Sequence, residues 1–438
     1  MWGRAAVGRG LLAALAISGL LLPAVALPAD GADLCPAAFT SRSSGFTPSV
    51  AFAAAASGPA GDYEWRFGDG TAGVGTNTGH VYPGPGHYTV TLTVTTHPIG
   101  AAACTAATSA VVTADPVHRY APEVRMHPRE TRLPGDPNTF IDNSLLIWDR
   151  PDVPGAPPSC LDTVIAAGDA SGADGHRAIN KARLGTSSRP YGQRSSTAPH
   201  TRCVDGVRVY ANSPPAVVHK TKQRTDDGFV LDLRNTHSAR AGDGLHSRMY
   251  AEYQPGTYVI YWLFYPYNDW KMKAGVLGLR DTVTERHEGD WEHITVRLDA
   301  TGSATDVAYY QHSCSPDVVP YDAAEKTGTH PRVYAALGGH ASYGTLGKGP
   351  LGPGVRLFPC LHGVPSSVAT LSPEDRVGYS PRTTWRTWQN VGNARAQEWY
   401  GFGGSWGDRI PSTVANYGPA GPGPIRSRAT GAVPSVWR

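Results

Sequence analysis

The sequence predicts an all-β protein, with a small β domain followed by a larger, loop-rich β-sandwich. Glycine and proline are frequent, with 51 Gly and 37 Pro among 438 residues, and both disfavour helix interiors. Several segments alternate apolar and polar residues with the period of a β-strand. The 11 Trp and 20 Tyr supply apolar surface for a packed core, which argues against a disordered chain. Glycine does not recur at every third position, so the chain is not collagen-like.

Residues 1–26 have the features of a secretory signal peptide. Arg4 and Arg9 precede an apolar run over 11–22, and residues 24–26, Ala-Val-Ala, form a small-residue cleavage site. The run is shorter than the about 20 residues that a membrane-spanning helix requires. No later segment is long and apolar enough to span. We therefore expect a secreted, extracellular protein with no transmembrane segment in the mature chain.

The charge of the chain indicates no particular macromolecular partner. The formal net charge is +3, and charged residues make up 17% of the sequence. No block of Lys and Arg of the kind that binds nucleic acid occurs. We expect no nucleic-acid partner.

The cysteine content predicts disulfides. An even number of cysteines in an oxidising compartment is typical of a disulfide-bonded protein. The six are Cys35, Cys104, Cys160, Cys203, Cys314 and Cys360. Pairing within each region of the chain would give Cys35–Cys104, Cys160–Cys203 and Cys314–Cys360, although other connectivities remain open. No C-x-x-C pair occurs, so structural zinc and thiol redox chemistry are not expected.

Residues 33–114 form the first predicted domain. Residues 63–67 alternate and meet Gly-Asp-Gly at 68–70, which predicts a strand ending in a tight turn. Residues 83–86, Pro-Gly-Pro-Gly, form a second turn, and residues 87–95 then alternate cleanly. The residues expected on the buried face of that strand are Tyr88, Val90, Leu92 and Val94.

Three motifs of this segment resemble a PKD (polycystic kidney disease) domain. They are Trp-Arg-Phe-Gly-Asp-Gly at 65–70, His-Val-Tyr at 80–82 and the strand motif at 85–94. The resemblance implies an immunoglobulin-like β-sandwich that serves as a spacer or adhesion module beside exported enzymes and surface proteins. For Asp69 we favour a role in the turn, because Asp-Gly accepts positive φ, over contact with a ligand or metal.

The second predicted domain covers 117–438, after a short linker at 114–116. Residues 143–148 and 229–233 read as strands. Residues 258–267 are continuously apolar and aromatic, which predicts a central strand buried on both faces. Pro266 is expected to end its pairing, since proline lacks the backbone N–H.

The strand that follows carries the candidate chemistry. From Asp290 to Leu298 the residues alternate, so Asp290 and Glu292 share the face of the core while Trp291 and His293 lie on the other face. Two buried carboxylates need compensation by a metal, an arginine or open water. Oxygen and imidazole ligands would suit Mg²⁺, Mn²⁺ or Ca²⁺. The candidate metal ligands are His287, Asp290, Glu292, His312 and His340. The alternative is that they are satisfied polar residues without a metal.

Three aromatic residues are candidate ligand contacts. Tyr265, Tyr267 and Trp270 close the apolar strand and could stack against sugar rings. The alternative assignment for all three is the core.

Further motifs resemble the vacuolar-protein-sorting sixty-two type family. They lie at 261–268, 287–293 and 335–343, with supporting matches at 120–123 and 406–408. The resemblance extends over about 120 to 425. That family has no firm biochemical function, so the resemblance implies a fold more than an activity.

A more distant similarity is to the NPP-type necrosis-inducing proteins, a β-sandwich family with the signature Gly-His-Arg-His-Asp-Trp-Glu. The positions that match are His287, Asp290, Trp291 and Glu292, whereas Arg286 and Gly289 depart from the signature. The similarity implies a divalent-metal site at one mouth of the sandwich. It also implies His312 and His340 as further ligands, with Asp281 nearest to an upstream aspartate. In that family the site binds the sugar headgroup of a membrane sphingolipid.

No recognised catalytic motif occurs. Trp291 stands where a zincin that began at His287 would need its second histidine, and no Gly-x-Ser-x-Gly elbow is present. The leading hypothesis is a secreted protein that binds a glycan or lipid headgroup through the metal site. The alternatives are a metal-dependent extracellular hydrolase and a structural surface protein without chemistry.

Overall fold

The computed structural model describes most of both domains and leaves several segments aside. The described residues are 37–55, 61–97, 102–149, 162–167, 179, 181, 201–204, 207–210, 229–233, 237–273, 282–311, 316–346, 381–402, 405–407, 418–419, 421–423 and 437. Outside them lie the predicted signal peptide at 1–26 and the residues Cys35, Cys160, Asp281, His312, Cys314 and Cys360.

The described part of the first domain forms seven strands in two antiparallel sheets. The strands are β1 (Phe39–Ser43), β2 (Ser49–Ala54), β3 (Gly61–Arg66), β4 (Ala72–Val74), β5 (Asn77–Val81), β6 (Gly86–Thr96) and β7 (Cys104–Ala114). One sheet has the order β1-β2-β5 and the other the order β4-β3-β6-β7, so that β7 forms an edge.

The core of this domain lies between its two sheets, as the sequence predicts. Val90, Leu92 and Val94 of β6 are buried, and Tyr88 is partly buried against the same cluster. Trp65 of β3 lies at the centre and is fully buried, next to Phe52 and Phe67. The predicted period of two is therefore confirmed.

Asp69 serves the turn after β3. Its Oδ1 accepts hydrogen bonds from the backbone N–H and the hydroxyl of Thr71, at 3.0 and 2.6 Å. Its Oδ2 lies 2.7 Å from His80 Nε2, and the His80 ring stacks on Phe67. Gly68 and Gly70 on either side have positive φ, as an Asp-Gly turn requires. The residues of the characteristic motifs thus hold one another in place.

A single residue separates the two domains. Strand β7 ends at Ala114, and helix α1 (Pro116–Tyr120) begins after Asp115, whose side chain accepts the N–H of His118. Asp115 takes the left-handed conformation, with φ of 48°. At the other end of β7, Cys104 is disulfide-bonded, and the other five cysteine side chains lie outside the described ones. The pairing of the cysteines stays a prediction.

The described part of the second domain is also made mostly of strands. They are β8 (Glu123–Arg125), β9 (Ser144–Asp149), β10 (Asp162–Ala167), β11 (Thr201–Val204), β12 (Val207–Tyr210), β13 (Phe229–Leu233), β14 (Met249–Gln254), β15 (Tyr258–Lys273), β16 (Thr282–Leu298), β17 (Ala304–Tyr309), β18 (Asp317–Pro320), β19 (Lys326–Thr327), β20 (His330–Ala335), β21 (Ser342–Tyr343), β22 (Thr384–Arg386) and β23 (Val391–Asn393).

Helices are short. They are α2 (Pro137–Asp142) and α3 (His237–Ala241), with 3₁₀ turns at Pro381–Thr383, Thr387–Gln389 and Ala394–Ala396. No helix of the described residues has the length and apolarity to cross a membrane.

Two sheets of the second domain face each other. The larger has the order β18-β17-β16-β15-β14-β23, and the smaller has the order β19-β20-β8-β22 with β21 beside β20. Apolar residues of both sheets share one core, including Val259 and Ile294 of the larger sheet with Val124 and Val333 of the smaller. Strand β8, close to the first domain, pairs in parallel with β20. The segment after residue 116 therefore belongs to this sandwich.

Strand β15 is the central strand that the sequence predicts. It lies between β14 and β16, and its two faces enter different apolar clusters, with Trp262 on one face and Tyr261 on the other. Pro266 does not end the strand, contrary to expectation. Pairing with β16 omits only the step of Pro266 opposite Gly289 and continues from Tyr267↔Glu288 to Lys273↔Thr282. The missing N–H of Pro266 removes one hydrogen bond, and the hydrogen bonds on either side keep β15 and β16 paired.

Among the described residues, the first domain is docked on the second by hydrogen bonds and close packing contacts. The backbone N–H and the hydroxyl of Thr113 both donate to Thr301 O, at 3.2 and 2.7 Å. Tyr120 Oη lies 3.2 Å from His87 Nε2. The loop before β2 places Gly45 against the ring of Tyr253.

Candidate functional site

The two candidate carboxylates lie on one face of β16, as the alternation predicts. Asp290 pairs with Tyr265 of β15, and Glu292 pairs with Leu263. Both side chains are nearly fully buried, at 4% and 7% exposure, on the face that packs against the smaller sheet. An uncompensated carboxylate at such a position would be strongly unfavourable.

His340 reaches Asp290 from the facing sheet. Strand β20 ends at Ala335, and the chain then makes a tight turn in which the His340 N–H donates to Ala336 O, at 3.0 Å. His340 takes a left-handed conformation with φ of 52°, which is strained for a residue other than glycine. The turn approaches β15 closely, because a side chain at Gly338 would clash with Asp269 O.

Both ring nitrogens of His340 face oxygen acceptors. Nδ1 lies 2.8 Å from Asp290 Oδ2, and Nε2 lies 3.1 Å from Arg132 O and 3.6 Å from Glu130 Oε2. A carbonyl oxygen and a carboxylate only accept, so both nitrogens carry hydrogen and the ring is an imidazolium. The ring is completely buried and stacks on Tyr265, with centroids 3.9 Å apart.

The electrostatics of His340 agree with this charge state. Burial alone would lower its pKa, but the neighbouring carboxylates of Glu130 and Asp290 raise the pKa of His340 to about 10. The compensating cation beside Asp290 is therefore a histidine side chain. The sequence-based alternatives of a metal, an arginine or open water did not include it.

Glu130 completes the cluster. Burial would raise its pKa, yet the imidazolium of His340 and the backbone N–H groups of Arg132 and Gly338 hold the pKa of Glu130 at about 2. Its Oε1 accepts the N–H of Thr131 and of Arg132 at 2.8 Å, and its Oε2 accepts that of Gly338 at 2.7 Å. Glu130 was not predicted, because it lies in a loop without periodicity and far from the histidine in the chain.

The remaining predicted metal ligands are not gathered into a metal centre among the described residues. His287 is buried, and its Nδ1 lies 3.2 Å from Gly289 O. In the described part of the chain, no group of three or more His, Cys, Asp or Glu is placed to hold a metal. His340 has no nitrogen lone pair free in this arrangement, so it does not fit a metal ligand here. With His312 outside the described residues, the five-residue metal site stays a prediction.

The predicted aromatic contacts lie in the interior. Tyr265, Tyr267 and Trp270 are 0%, 5% and 6% exposed, so none presents a free ring face as a sugar platform would. His340 covers a face of Tyr265. The guanidinium groups of Arg132 and Arg240 lie 5.1 and 4.6 Å from the centroid of Tyr267. Strand β15 continues past Pro266 to Lys273, so all three residues lie within the paired strand rather than beyond its end.

Gly289 allows a second close approach at this end of the sheet. It has φ of 57°, and a Cβ at this position would meet Trp406 O. The close contact is therefore with another segment of the chain itself. On the other face of β16, Trp291 packs against Phe264 and His293 stacks on Tyr310, as predicted.

Comparisons with known proteins support both domain predictions. Residues 34–112 match the family model of the PKD domain, and residues 220–356 match that of vacuolar protein sorting-associated protein 62. Among solved structures, the PKD1 domain of Vibrio anguillarum Epp is 29% identical, with a TM-score of 0.16; the match covers 18% of this chain and 92% of that one. No curated protein matches the chain.

The two family matches follow each other along the chain in the order that the motifs predict. The matches therefore give a PKD domain at residues 34–112, followed by a second, strand-rich domain that is similar to vacuolar protein sorting-associated protein 62 over residues 220–356.

Proposed function

We propose that this chain is a secreted binding protein, in which the PKD domain is an accessory module and the second domain recognises a glycan or lipid headgroup. Domains resembling PKD modules are typical of exported proteins, which supports the location. The distant similarity of residues 286–292 to the NPP-type signature supports the class of ligand.

One observation favours binding over catalysis. The acid–base groups Glu130, Asp290 and His340 neutralise one another in the interior, and the His340 side chain is completely buried. A general acid or base must come within hydrogen-bonding distance of its substrate. Because Glu130, Asp290 and His340 already bond to one another, they serve instead to hold the turn after β20 against β15. A turn that is fixed in this way can hold the neighbouring loops in the geometry that a ligand requires.

The test uses the full chain with immobilised glycans and with vesicles that contain glycosylated lipids. We expect saturable binding to at least one glycan or vesicle type, without turnover of the bound glycan and without loss in EDTA. Absence of binding to every glycan and vesicle would contradict the proposal and favour a structural surface protein.

A metal-dependent site is the second candidate. The observation in its favour is the pair of carboxylates, Asp290 and Glu292, buried on one face of β16. Because Asp290 is engaged with His340, this candidate requires the pair to separate. Elemental analysis of the purified protein, with a chelator control, checks it. A stoichiometric divalent metal together with chelator-sensitive binding would support a metal-linked ligand, and chelator-sensitive hydrolysis would support the hydrolase alternative.

A further inference from the structure

A cavity opens beside β15, separate from the Asp290–His340 pair. Its volume is about 250 Å³, and three segments line it: the loop and helix at 136–143, the helix α3 with its following loop to 243, and Pro266 of β15. None of the sequence motifs pointed to it. The segments are distant in sequence and meet only in the fold.

The walls of the cavity are held in place before any ligand arrives. The Asp136 N–H donates to Asp243 Oδ2 at 2.6 Å, which ties two of the lining segments together. Leu133 N–H donates to Ala241 O at 2.9 Å, and Gly135 N–H donates to Phe264 O at 3.0 Å. A preformed site binds without the entropic cost of ordering loops.

The base of the cavity is apolar. Phe140, Ala239 and Pro266 line it, and Phe140 is itself fixed edge-on against Phe264 with ring centroids 5.2 Å apart. Pro266 is buried on its other side, where a side chain at Gly135 would meet its ring. Phe140 is 2% exposed and Pro266 is buried, so the half-buried Ala239 is the apolar residue that can contact the C–H edge of a small ring.

Hydrogen-bonding groups surround that base. Asp136, Thr139, Asn143 and Asp243 line the cavity, so carboxylate acceptors stand beside a hydroxyl and an amide. Asp243 is exposed. Mixed acceptors and donors over an apolar floor are the complement of a polyhydroxylated ring, whose hydroxyls both donate and accept.

The same lining is less suited to a cation. Asp136 Oδ1 already accepts the N–H of Asn138 at 2.8 Å, and the Tyr250 hydroxyl lies 3.3 Å from each carboxylate oxygen. Asp243 Oδ2 is engaged by the Asp136 N–H. The described residues here include no third carboxylate or histidine that lines the cavity.

We propose that this cavity is a subsite for one neutral sugar ring, with hydroxyl groups donating to the carboxylates of Asp243 and Asp136 and an apolar edge of the ring against the half-buried Ala239, behind which Pro266 and Phe140 are buried. The proposal rests on the proposed glycan-binding function and gives it a location. The cavity would then distinguish sugars by the positions of their ring hydroxyls rather than by charge.

Two variants of the full chain test the subsite. Asp243→Asn keeps an oxygen acceptor for the Asp136 N–H and removes the charge, and Thr139→Trp fills the cavity from an exposed helix position. The matched control is Asp322→Asn, an exposed aspartate in the turn after β18. The probes are the methyl glycosides of D-glucose, D-galactose and D-mannose, followed by saturation-transfer NMR titration.

We expect one glycoside to bind the parent and the control equally, about tenfold more weakly to Asp243→Asn, and undetectably to Thr139→Trp, with unchanged unfolding midpoints. Equal binding to all four proteins would overturn the subsite. So would the absence of glycoside binding to the parent, or Ca²⁺ binding that Asp243→Asn abolishes. If the parent binds the glycan panel while the two cavity variants bind it like the parent, the subsite fails and the proposed function stands.

Discussion

His340 shows at the scale of a single residue how a buried carboxylate is neutralised by a proton held on a neighbouring ring. The imidazolium connects Asp290 of the larger sheet with Glu130 of a loop, and Tyr265 covers its face. A left-handed backbone at His340 is unfavourable, so the ring contacts must outweigh that strain for the turn to persist. We infer that the ion pair of His340 and Asp290 holds the turn after β20 against the larger sheet.

Replacing His340 by Gln should destabilise the protein and flatten its pH dependence. The variant leaves two buried carboxylates without a cation, a change that typically costs about 3 to 5 kcal/mol. His340 has its pKa raised in the fold, so its stabilising contribution is fully present below pH 6.5 and is lost as the pH rises to about 10. Urea unfolding at pH 6.5, 8 and 10 measures both effects.

The matched control for that experiment is His246→Gln, at an exposed histidine. We expect the control to keep the parent's stability and its decline towards high pH. If the His340→Gln variant loses stability between pH 6.5 and 10 as steeply as the parent does, His340 is not the titrating group.

Gly289→Ala should be more costly than a substitution at another left-handed glycine. Gly289 and Gly328 have φ of 57° and 63°, but only at Gly289 would the added Cβ meet a neighbour, Trp406 O. The backbone strain is shared by both variants, at about 1 kcal/mol, so the difference reports the packing. Thermal unfolding compares the two, and equal losses would show that Trp406 moves aside freely.

Part of the site follows from local sequence and part does not. The alternation from residue 290 onward predicted that Asp290 and Glu292 share the core face, and the pairing of β16 confirms it. Glu130 was missed because nothing local distinguishes a loop glutamate that meets a histidine more than 200 residues away. Contacts of that kind depend on topology, which one sequence does not determine.

At the scale of elements, the strongly patterned strands were predictable and their partners were not. The uninterrupted apolar run over 258–267 indicated a strand buried on both faces, and β15 confirms this while extending to Lys273. The placement of β20 in the facing sheet, parallel to β8, has no local signal. His340 therefore reaches Asp290 from the facing sheet and not from a strand next to β16.

Strand β14 is joined to the C-terminal segment by Glu252, whose substitution should release that segment. Glu252 is fully buried; its carboxylate accepts from Trp262 Nε1 at 2.9 Å, from Arg395 Nε at 3.2 Å and from the Tyr400 hydroxyl at 2.8 Å. Glu252→Ala removes the carboxylate that accepts from the buried Trp262 and from Arg395 and Tyr400, at a cost of about 1 to 3 kcal/mol. We expect faster hydrogen exchange over 391–400, measured by mass spectrometry.

A suitable comparison is Glu252→Gln, whose single acceptor oxygen can still accept from Arg395 and Tyr400, while the charge and the acceptor for Trp262 are lost. Its exchange should lie between that of the parent and that of Glu252→Ala. Unchanged exchange over 391–400 in Glu252→Ala would show that apolar packing alone retains the segment.

At the scale of the whole molecule, the PKD domain is fixed on its neighbour rather than tethered by a flexible linker. Asp115 alone connects β7 to α1, and the Thr113–Thr301 hydrogen bonds lie beside it. A spacer that is docked in this way sets the direction in which the second domain faces. The short linker at 114–116 was predicted, whereas the docking contacts were not, since they join residues far apart in sequence.

Gly45→Ala should loosen this docking. A Cβ at Gly45 would overlap the ring of Tyr253 in the second domain, whereas a Cβ at Gly70, also at positive φ, would meet nothing within 4 Å. The two variants share the backbone strain, so only Gly45→Ala should separate the unfolding of the domains into two calorimetric transitions. A single transition in both would mean that the remaining contacts are sufficient for docking.

The edge strand β7 has a consequence for how the protein behaves in solution. Residues 104–114 contain no charged residue and no proline. This edge strand therefore lacks the residue types that usually prevent an edge from pairing with a strand of another chain. Near its end, the Thr113 N–H is occupied by Thr301 of the second domain. Cutting the chain after β7 would remove that cover, and the isolated PKD domain should self-associate at concentrations where the full chain stays monodisperse.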